Sequence, residues 1–590
     1  MTWQAWFTLA VLVGVLALLI RGRTSAAAAV FGGNIVLLAA GVIDTEQSLA
    51  GFSNPAPLTV AALYVVAAGV QRTGALTPAL HGALGRSTGV RMPLLRLAVP
   101  AAAASGFLNN TPIAAMLIPE VTSWAERHRV SVSKLLMPLS FAVVLGGLLS
   151  VIGTSTNLVV SGLMESAGLG ALGFFEIGRI GLPIAVIGIA VMVALSAAVL
   201  PARRSVAQEL AEQARDFYVE LTVQAGGPVD GRTVEQAGLR ELQGVFLTSV
   251  DRGDTVIAPV RPETVLRGGN RLRFAGQARK VVDLHSHRGL EFAETQHIEA
   301  LTDPAVRYFE AVIGTKSSLV GRTLKEAGFR NEYQAAVVAI HRDGELVDGQ
   351  LGQVPLRLGD TLILLSDPGF KKRWGDRDDF LLIAAMDAAP SPPVSAAKAG
   401  LAVSILLGII VLATLEIVPI LVGALVGAIL MVAVGVLSVT EARRAVDLDV
   451  IVIIAAAFGL AAAMETSGLA GQAASAVTSL FDTWGDRGAL LGIVIATMVL
   501  TEMITNNAAA LLMFPIGLSL AAGTGLDPVG VAIAIAVAAS ASFLTPIGYQ
   551  TNTMVYGPGG YKFTDYWRLG LPLSVVVVVM TVGLVPVLWP

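Results

Sequence analysis

Long apolar runs broken by short polar stretches fill residues 4–200 and 397–589, while the segment between them shows only short alternating strands. The runs predict helices over 4–20, 24–43, 57–71, 92–107, 112–124, 134–152, 156–168 and 178–200 in the first block. The second block gives 397–414, 418–438, 446–466, 487–505, 507–522, 527–545, 551–557 and 568–589. Several are too short, or too interrupted by Gly, Pro and Asn, to cross a hydrocarbon layer of about 30 Å alone. The first run, Trp3 to Ile20, is followed by no small-residue cleavage site and reads as a retained span. The order is a membrane block (1–202), a soluble insert (203–385), a linker (386–396) around the Ala-Pro-Ser-Pro-Pro stretch, and a second membrane block (397–590).

Composition agrees with this division. The chain is 54% hydrophobic and 14% charged, against roughly a quarter charged in soluble domains. About 50 of the charged residues fall between Arg203 and Phe380. Net charge of −3 excludes a strongly basic nucleic-acid binder. The absence of cysteine excludes disulfides, zinc ribbons, iron–sulfur clusters and thiol catalysis. Sixty-two glycines suit closely packed membrane helices.

The two membrane blocks repeat each other. Ile152-Gly153-Thr154-Ser155-Thr156-Asn157-Leu158 matches Ile547-Gly548-Tyr549-Gln550-Thr551-Asn552-Thr553. Glu176, Arg179, Gly181, Leu182 and Pro183 match Asp565, Arg568, Gly570, Leu571 and Pro572 in identical spacing, and Asn109-Asn110-Thr111 lies opposite Thr505-Asn506-Asn507. Loop charges give the orientation. Arg21, Arg23, Arg72, Arg86 and Arg91 mark inner loops and Asp44 and Glu46 an outer one, so the amino terminus is expected outside the cell. Glu416 takes the place of Arg21, and Arg443 and Arg444 that of Asp44, so the second block is read as inverted. Arg203 and Arg204 put the insert in the cytoplasm of a multi-pass inner-membrane protein.

The insert is itself duplicated. Gly231-Arg232-Thr233 with Ala237-Gly238 recurs as Gly321-Arg322-Thr323 with Ala327-Gly328. Each copy (203–295 and 296–385) reads as an α+β module. Strands are expected at Tyr218–Val223, Phe246–Val250 and Arg271–Phe274, and again at Tyr308–Ile313, Ala336–Ile340 and Thr361–Leu365. Short helices are expected at Thr233–Ala237 and Thr323–Ala327.

Chemistry is concentrated at polar breaks in the membrane blocks. A buried Asn is costly unless its amide is bonded or coordinates something. Asn109-Asn110-Thr111 and Thr505-Asn506-Asn507 read as tips of re-entrant hairpins, and Gly153–Asn157 and Thr545–Asn552 as unwound stretches facing them. One such residue more often glues helices together than binds anything; two repeated constellations reverse that balance. No Lys, Arg or His lies in the four stretches, so a bound divalent anion needs its charge offset by helix ends and co-bound sodium. Glu120, Glu465 and Glu502 are candidate proton sites, Glu502 foremost, since it just precedes a hairpin tip. His81 and His128 fall in charged loops, and Gly557-Pro558-Gly559-Gly560 reads as a hinge. No metal cluster, activated nucleophile or carboxylate pair emerges, which argues against an enzyme, and no selectivity-filter repeat supports a ligand-gated channel.

The hairpin motifs, Gly-Phe-Ser-Asn-Pro-Ala at 51–56, Ile-Gly-Thr-Ser-Thr-Asn at 152–157 and Pro-Ile-Gly-Tyr-Gln-Thr-Asn at 546–552 resemble the divalent anion:sodium symporter family, over essentially the whole chain. The insert resembles the branch carrying two TrkA C-terminal (RCK-C) domains between the halves. The resemblance implies a homodimeric elevator transporter for sulfate, dicarboxylates or citrate, moved with sodium. It implies sodium sites drawing on Asn110, Gly153 and Thr154, and on Thr505, Asn506 and Gly548. For the substrate it implies Asn109, Asn110, Thr111, Ser155, Thr156, Asn157, Asn506, Asn507, Thr545, Pro546, Gln550, Thr551 and Asn552. The family's Ser-Asn-Thr tip is Asn-Asn-Thr in one half and Thr-Asn-Asn in the other. The Gly-Tyr-Gln-Thr-Asn segment looks more like the sulfate-transporting members, which puts sulfate ahead of C4-dicarboxylate or citrate. Resemblance to regulator lobes makes a nucleotide a candidate ligand of the insert, beside a purely structural role in the dimer.

Overall fold

Helix-capping residues fix where the apolar runs begin. Asn54 Oδ1 accepts from Ala56 N (2.8 Å) ahead of Pro55 at the first helical position, and Asp527 caps Gly530 N (2.9 Å) ahead of Pro528. Asp44 with Gln47 and Ser438 with Glu441 form capping boxes at corresponding places in the two membrane blocks. The computed structural model describes the chain apart from residues 1, 22–24, 75–88, 129, 204–217, 240–244, 254, 258–259, 277–289, 293–306, 315–316, 343–344, 348–350, 376, 378, 386–395 and 482–483. Arg23, His81, Arg86, Arg204 and nearly all of the 386–396 linker lie outside the described residues.

The chain divides into two bodies, one of Met1–Ala202, Pro392–Val555 and Phe563–Pro590, the other of Arg203–Ser391 with Tyr556–Lys562. The first body contains α1 (Trp3–Arg21), α2 (Ala26–Ala39), α3 (Thr45–Leu49), α4 (Pro55–Arg72), α5 (Arg91–Ser105), α6 (Asn110–Arg127), α7 (Leu136–Gly146), α8 (Ser155–Ser166) and α9 (Gly178–Val199). Past α10 (Phe329–Tyr333) and α11 (Phe370–Trp374) of the second body, it resumes with α12 (Ala396–Thr414), α13 (Ile420–Ala433), α14 (Val439–Ala445), α15 (Leu448–Thr466) and α16 (Leu469–Leu480). It ends with α17 (Gly485–Thr501), α18 (Asn506–Gly523), α19 (Pro528–Ser540), α20 (Gln550–Tyr556) and α21 (Asp565–Leu588).

The second series repeats the first, and the halves interlock: α2 packs on α15, α4 on α13 and α9 on α21. Seven described helices are long and apolar enough to cross a membrane. Close approach depends on missing side chains. A methyl on Gly181 or Gly570 would collide with the backbone oxygens of Leu148 or Phe543. All of α7 is buried, so it presents no face to lipid.

Two expected spans are shorter than their apolar runs. The run over 134–152 leaves the helix after Gly146, and that over 527–545 leaves it after Ser540. Hydropathy does not register a helix that unwinds inside an apolar environment. The amphipathic helix α16 was not anticipated, because its alternating small and polar residues lower its hydropathy.

The second body holds two antiparallel five-stranded sheets of the same topology, β3-β2-β4-β1-β5 and β10-β6-β9-β7-β8. The strands are β1 (Tyr218–Val223), β2 (Val245–Asp251), β3 (Val256–Ile257), β4 (Arg271–Gly276), β5 (Leu290–Phe292), β6 (Arg307–Ile313), β7 (Ala336–Arg342), β8 (Glu345–Leu346), β9 (Thr361–Ser366) and β10 (Phe380–Ala385). Even the irregularities repeat. The β2–β4 ladder shifts register between Leu247 and Ser249, the β7–β9 ladder between Val337 and Ala339. The short helices expected at Thr233–Ala237 and Thr323–Ala327 are instead turns. Each makes one helical bond, from Ala237 N to Thr233 O and from Ala327 N to Thr323 O. Gly238 and Gly328, at φ 69° and 55°, then end the turn.

In the second sheet Arg342 grips the buried Asp360 through two bonds, Nε to Oδ1 at 2.8 Å and Nη2 to Oδ2 at 2.7 Å. Removing the guanidinium strands a buried carboxylate. Arg342→Ala is therefore expected to destabilise this sheet by about 2 kcal/mol. Faster hydrogen exchange across 336–366, with exchange across 218–276 unchanged, is the result that checks it.

Candidate functional site

Two helix–break–helix hairpins and two interrupted helices build the site. Hairpin one is α5 and α6 around Gly106–Asn109; hairpin two is α17 and α18 around residues 502–505. The interrupted helices are α7 with α8 and α19 with α20, unwound at 147–154 and 541–549. Unwinding frees carbonyls inside an apolar body, where water cannot reach them.

Asparagines supply the missing donors, identically in the two halves. Asn157 Nδ2 donates to Gly147 O and Ser150 O, both at 2.9 Å. Asn552 Nδ2 donates to Ser542 O (2.9 Å) and Thr545 O (3.2 Å). The hairpin stems are pinned by a second repeated device. Ser105 Oγ donates to Asn110 Oδ1 (2.6 Å) and reaches Val143 O (2.7 Å). Thr501 Oγ1 does the same toward Asn506 Oδ1 (2.9 Å) and Ala539 O (2.6 Å).

The halves meet at their breaks. Asn110 Nδ2 donates to Tyr549 Oη (2.8 Å), and Thr111 Oγ1 to Gln550 Oε1 (2.9 Å), so the first tip touches the second break. Ser155 Oγ (3.2 Å) and Thr156 Oγ1 (3.1 Å) both donate to Asn507 Oδ1, so the second tip touches the first break. Thr154 also lies beside the Tyr549 hydroxyl, and Tyr64 beside Asn109 and Ser155. Ser140, on the fully buried α7, donates to Asn552 Oδ1 (2.7 Å) and shares a hydroxyl–hydroxyl bond with Thr551 Oγ1 (2.8 Å).

The sequence-predicted residues thus gather at the tips and breaks of the two halves. Asn109 Oδ1 accepts from Asn110 N at the start of α6 (2.8 Å). Thr505 Oγ1 caps α18 through Ala508 N (3.4 Å). Pro546 O accepts from Thr553 Oγ1 (2.6 Å), and Gly548 N donates to Thr545 Oγ1 (2.9 Å). A methyl on Gly153 would sit 2.6 Å from Gly147 O, so that glycine marks a tight backbone approach. Among the carboxylates singled out, Glu502 is held at the second hairpin: Oε1 accepts from Leu544 N (2.8 Å) and Oε2 from Thr545 Oγ1 (2.7 Å).

Sequence reasoning missed Ser105, Thr501, Ser140, Tyr64 and the Tyr549 hydroxyl. Ser105 and Thr501 could have been found, since each stands five residues before the repeated tip asparagine. Ser140 and Tyr64 have no counterpart signal, being single polar residues inside apolar runs. The assembled donors are amide, hydroxyl and carbonyl oxygens, which suit a hard cation, and the amino ends of α6, α8 and α18 suit an anion.

Paired hairpin tips and helix breaks inside a repeated apolar bundle define a polytopic membrane transporter, not an enzyme. The chain belongs to the citrate transporter family (CitMHS), whose model matches residues 15–531 and 484–589. It is 34% identical over 574 residues to a sulfur deprivation response regulator of Chlamydomonas reinhardtii, covering 96% of this chain and 98% of that one. A transporter of Synechocystis is also 34% identical over 574 residues, with 94% and 92% covered. Sodium/sulfate cotransporter 1 of Chlamydomonas reinhardtii is 25% identical over 739 residues, with 90% and 84% covered.

Because Asn157 and Asn552 each satisfy two buried carbonyls, replacing either by Ala is expected to cost about 2–3 kcal/mol. A lower melting midpoint of the detergent-purified chain checks this. Asn552→Ala should fall further than Asn157→Ala, since Asn552 Oδ1 also accepts from Ser140 Oγ (2.7 Å) while Asn157 Oδ1 has no such bond.

Proposed function

We propose that this chain is a sodium-coupled symporter that brings sulfate, or a similar divalent oxyanion, into the cell. The observation that carries the reading is that each hairpin tip meets the opposite helix break, among predicted binding residues that include no basic side chain. An anion held there depends on helix amino ends and on cations that arrive with it. The relatives named as sodium/sulfate cotransporters support both the substrate and the ion.

In this reading sodium is held by Asn110, Gly153 and Thr154 in the first half and by Thr505, Asn506 and Gly548 in the second. Asn109, Thr111, Ser155, Thr156, Asn157, Asn507, Thr545, Pro546, Gln550, Thr551 and Asn552 line the anion's place, together with Asn110 and Asn506. The protein works as a homodimeric elevator in the inner membrane, with inverted halves, its amino terminus outside and the sheets in the cytoplasm. Those sheets act as paired TrkA C-terminal modules, either binding a nucleotide or reinforcing the dimer. A second reading, symport of citrate or a C4-dicarboxylate, is favoured by the description of the matching family.

Uptake of labelled sulfate into proteoliposomes, with and without an inward sodium gradient, decides among these. Sodium-driven sulfate uptake is expected. Citrate or succinate uptake without sulfate uptake would install the second reading. Asn110→Ala and Asn506→Ala should each abolish uptake while the protein still elutes as a folded dimer; near wild-type rates in either would refute the site.

A further inference from the structure

We propose that the second sheet grips the end of α20 and, through that helix, holds the second helix break in place, so that this half of the insert is part of the transport machinery. The proposal rests on the transport reading, in which Gln550, Thr551 and Asn552 at the start of α20 line the anion's place.

The two sheets are copies, yet their outer faces differ in kind. On the first, the cross-strand pairs are Ser249 with Arg273 and Asp251 with Arg271. At the aligned places the second pairs Ala339 with Ile363 and His341 with Thr361. Arg271 is exposed, and Asp251 and Arg273 are half-buried. Ala339, His341, Thr361 and Ile363 are all buried, although they lie on the face opposite the main core, into which Ile340, Leu362 and Leu364 pack. A solvated face tolerates arginines, whereas a largely apolar face that stays dry has something lying on it.

The occupant is a piece of the second membrane block. Tyr556–Lys562 belongs to the same body as the sheets, and the residues from Tyr556 to Tyr561 are buried. A methyl on Gly557 would collide with Thr361 Oγ1, so the backbone here lies directly on β9. Arg203 adds a second hold, donating from Nη1 to Gly560 O (3.1 Å). The segment is a closed helix end. Tyr561 N donates to Tyr556 O (3.1 Å) and Gly560 N to Gly557 O (2.8 Å), with Gly560 at φ 61°, the bonding of a Schellman cap. Thus α20 starts at the break and stops, about two turns later, in a rigid turn pressed on the sheet. Near its start, Asn552 Nδ2 bridges two carbonyls of the break. A shift of β9 against Gly557 moves this helix and that amide with it. At the aligned places the first sheet carries arginines, which such a contact would desolvate.

The test puts the first sheet's residue into the second, Thr361→Arg in the full chain, with Arg271→Thr as the reverse exchange. Thr361→Arg is expected to raise amide hydrogen exchange across 550–561 about tenfold or more. It should also raise the sulfate KM in proteoliposomes about fivefold or more, with the maximal rate changed by less than about twofold. Arg271→Thr should leave both readouts at wild-type values. If Thr361→Arg does not fold, Gly557→Ala takes its place and should give the same two changes. Thr361→Gly in that same chain clears the space and should reverse them. Folded variants with wild-type exchange across 550–561 and a wild-type KM overturn the proposal. Raised exchange with an unchanged KM reduces the contact to a structural one and overturns it equally. A wild-type chain that takes up citrate instead of sulfate removes the substrate reading alone, and the same comparison is then made with citrate.

Discussion

A helix interrupted inside an apolar body leaves carbonyls that only the protein can satisfy, and the rest of the membrane body is arranged around that requirement. The amides of Asn157 and Asn552 each bridge two such carbonyls, and the hydroxyls of Ser105 and Thr501 each tie a hairpin stem to the neighbouring broken helix. With these bonds in place, side chains at the breaks are free to face the opposite half. That is why Asn110 and Thr111 can reach Tyr549 and Gln550, and why Asn507 can reach Ser155 and Thr156. The polar network and the fold are one construction. Neither half completes it alone.

Much of this was legible in the sequence because duplication turns weak signals into ordered ones. The aligned Asn-rich tips and the aligned Asn157 and Asn552 located both hairpins and both breaks. Composition separated the charged insert from the membrane blocks, and the 90-residue repeat foretold sheets whose very bulges recur. What hydropathy could not register was where a helix stops inside an apolar run. Leu148, Val151 and Ile152 are as apolar as the helix before them, yet they lie in the unwound stretch. The cross-half contacts were hidden for another reason. Thr111 and Gln550 are separated by 439 residues, and nothing local to either says that they meet.

The repeat is also informative where it fails. Backbone bonding is conserved between halves nearly atom for atom, so substitutions at aligned positions report on something other than folding. Gly106 and Glu502 hold equivalent places on their hairpins, yet one offers a backbone oxygen and the other a carboxylate. The Glu502 carboxylate accepts from Thr545 Oγ1 and Leu544 N, where the Gly106 carbonyl accepts from Ser150.

In the proposed cycle, a scarcity of basic side chains is what makes coupling possible. A fixed arginine would attract the anion whether or not sodium were present, and the two ligands would then bind independently. When the positive charge must come from bound cations and helix ends, each ligand raises the affinity of the other by the same factor. The empty and fully loaded states are then both better balanced than a state holding the anion alone, whose charge would stay uncompensated in an apolar surround. In that cycle, carrying the site through the apolar body with only one partner bound would be disfavoured, because the neutral oxygens at the helix breaks offer the anion no positive charge of their own.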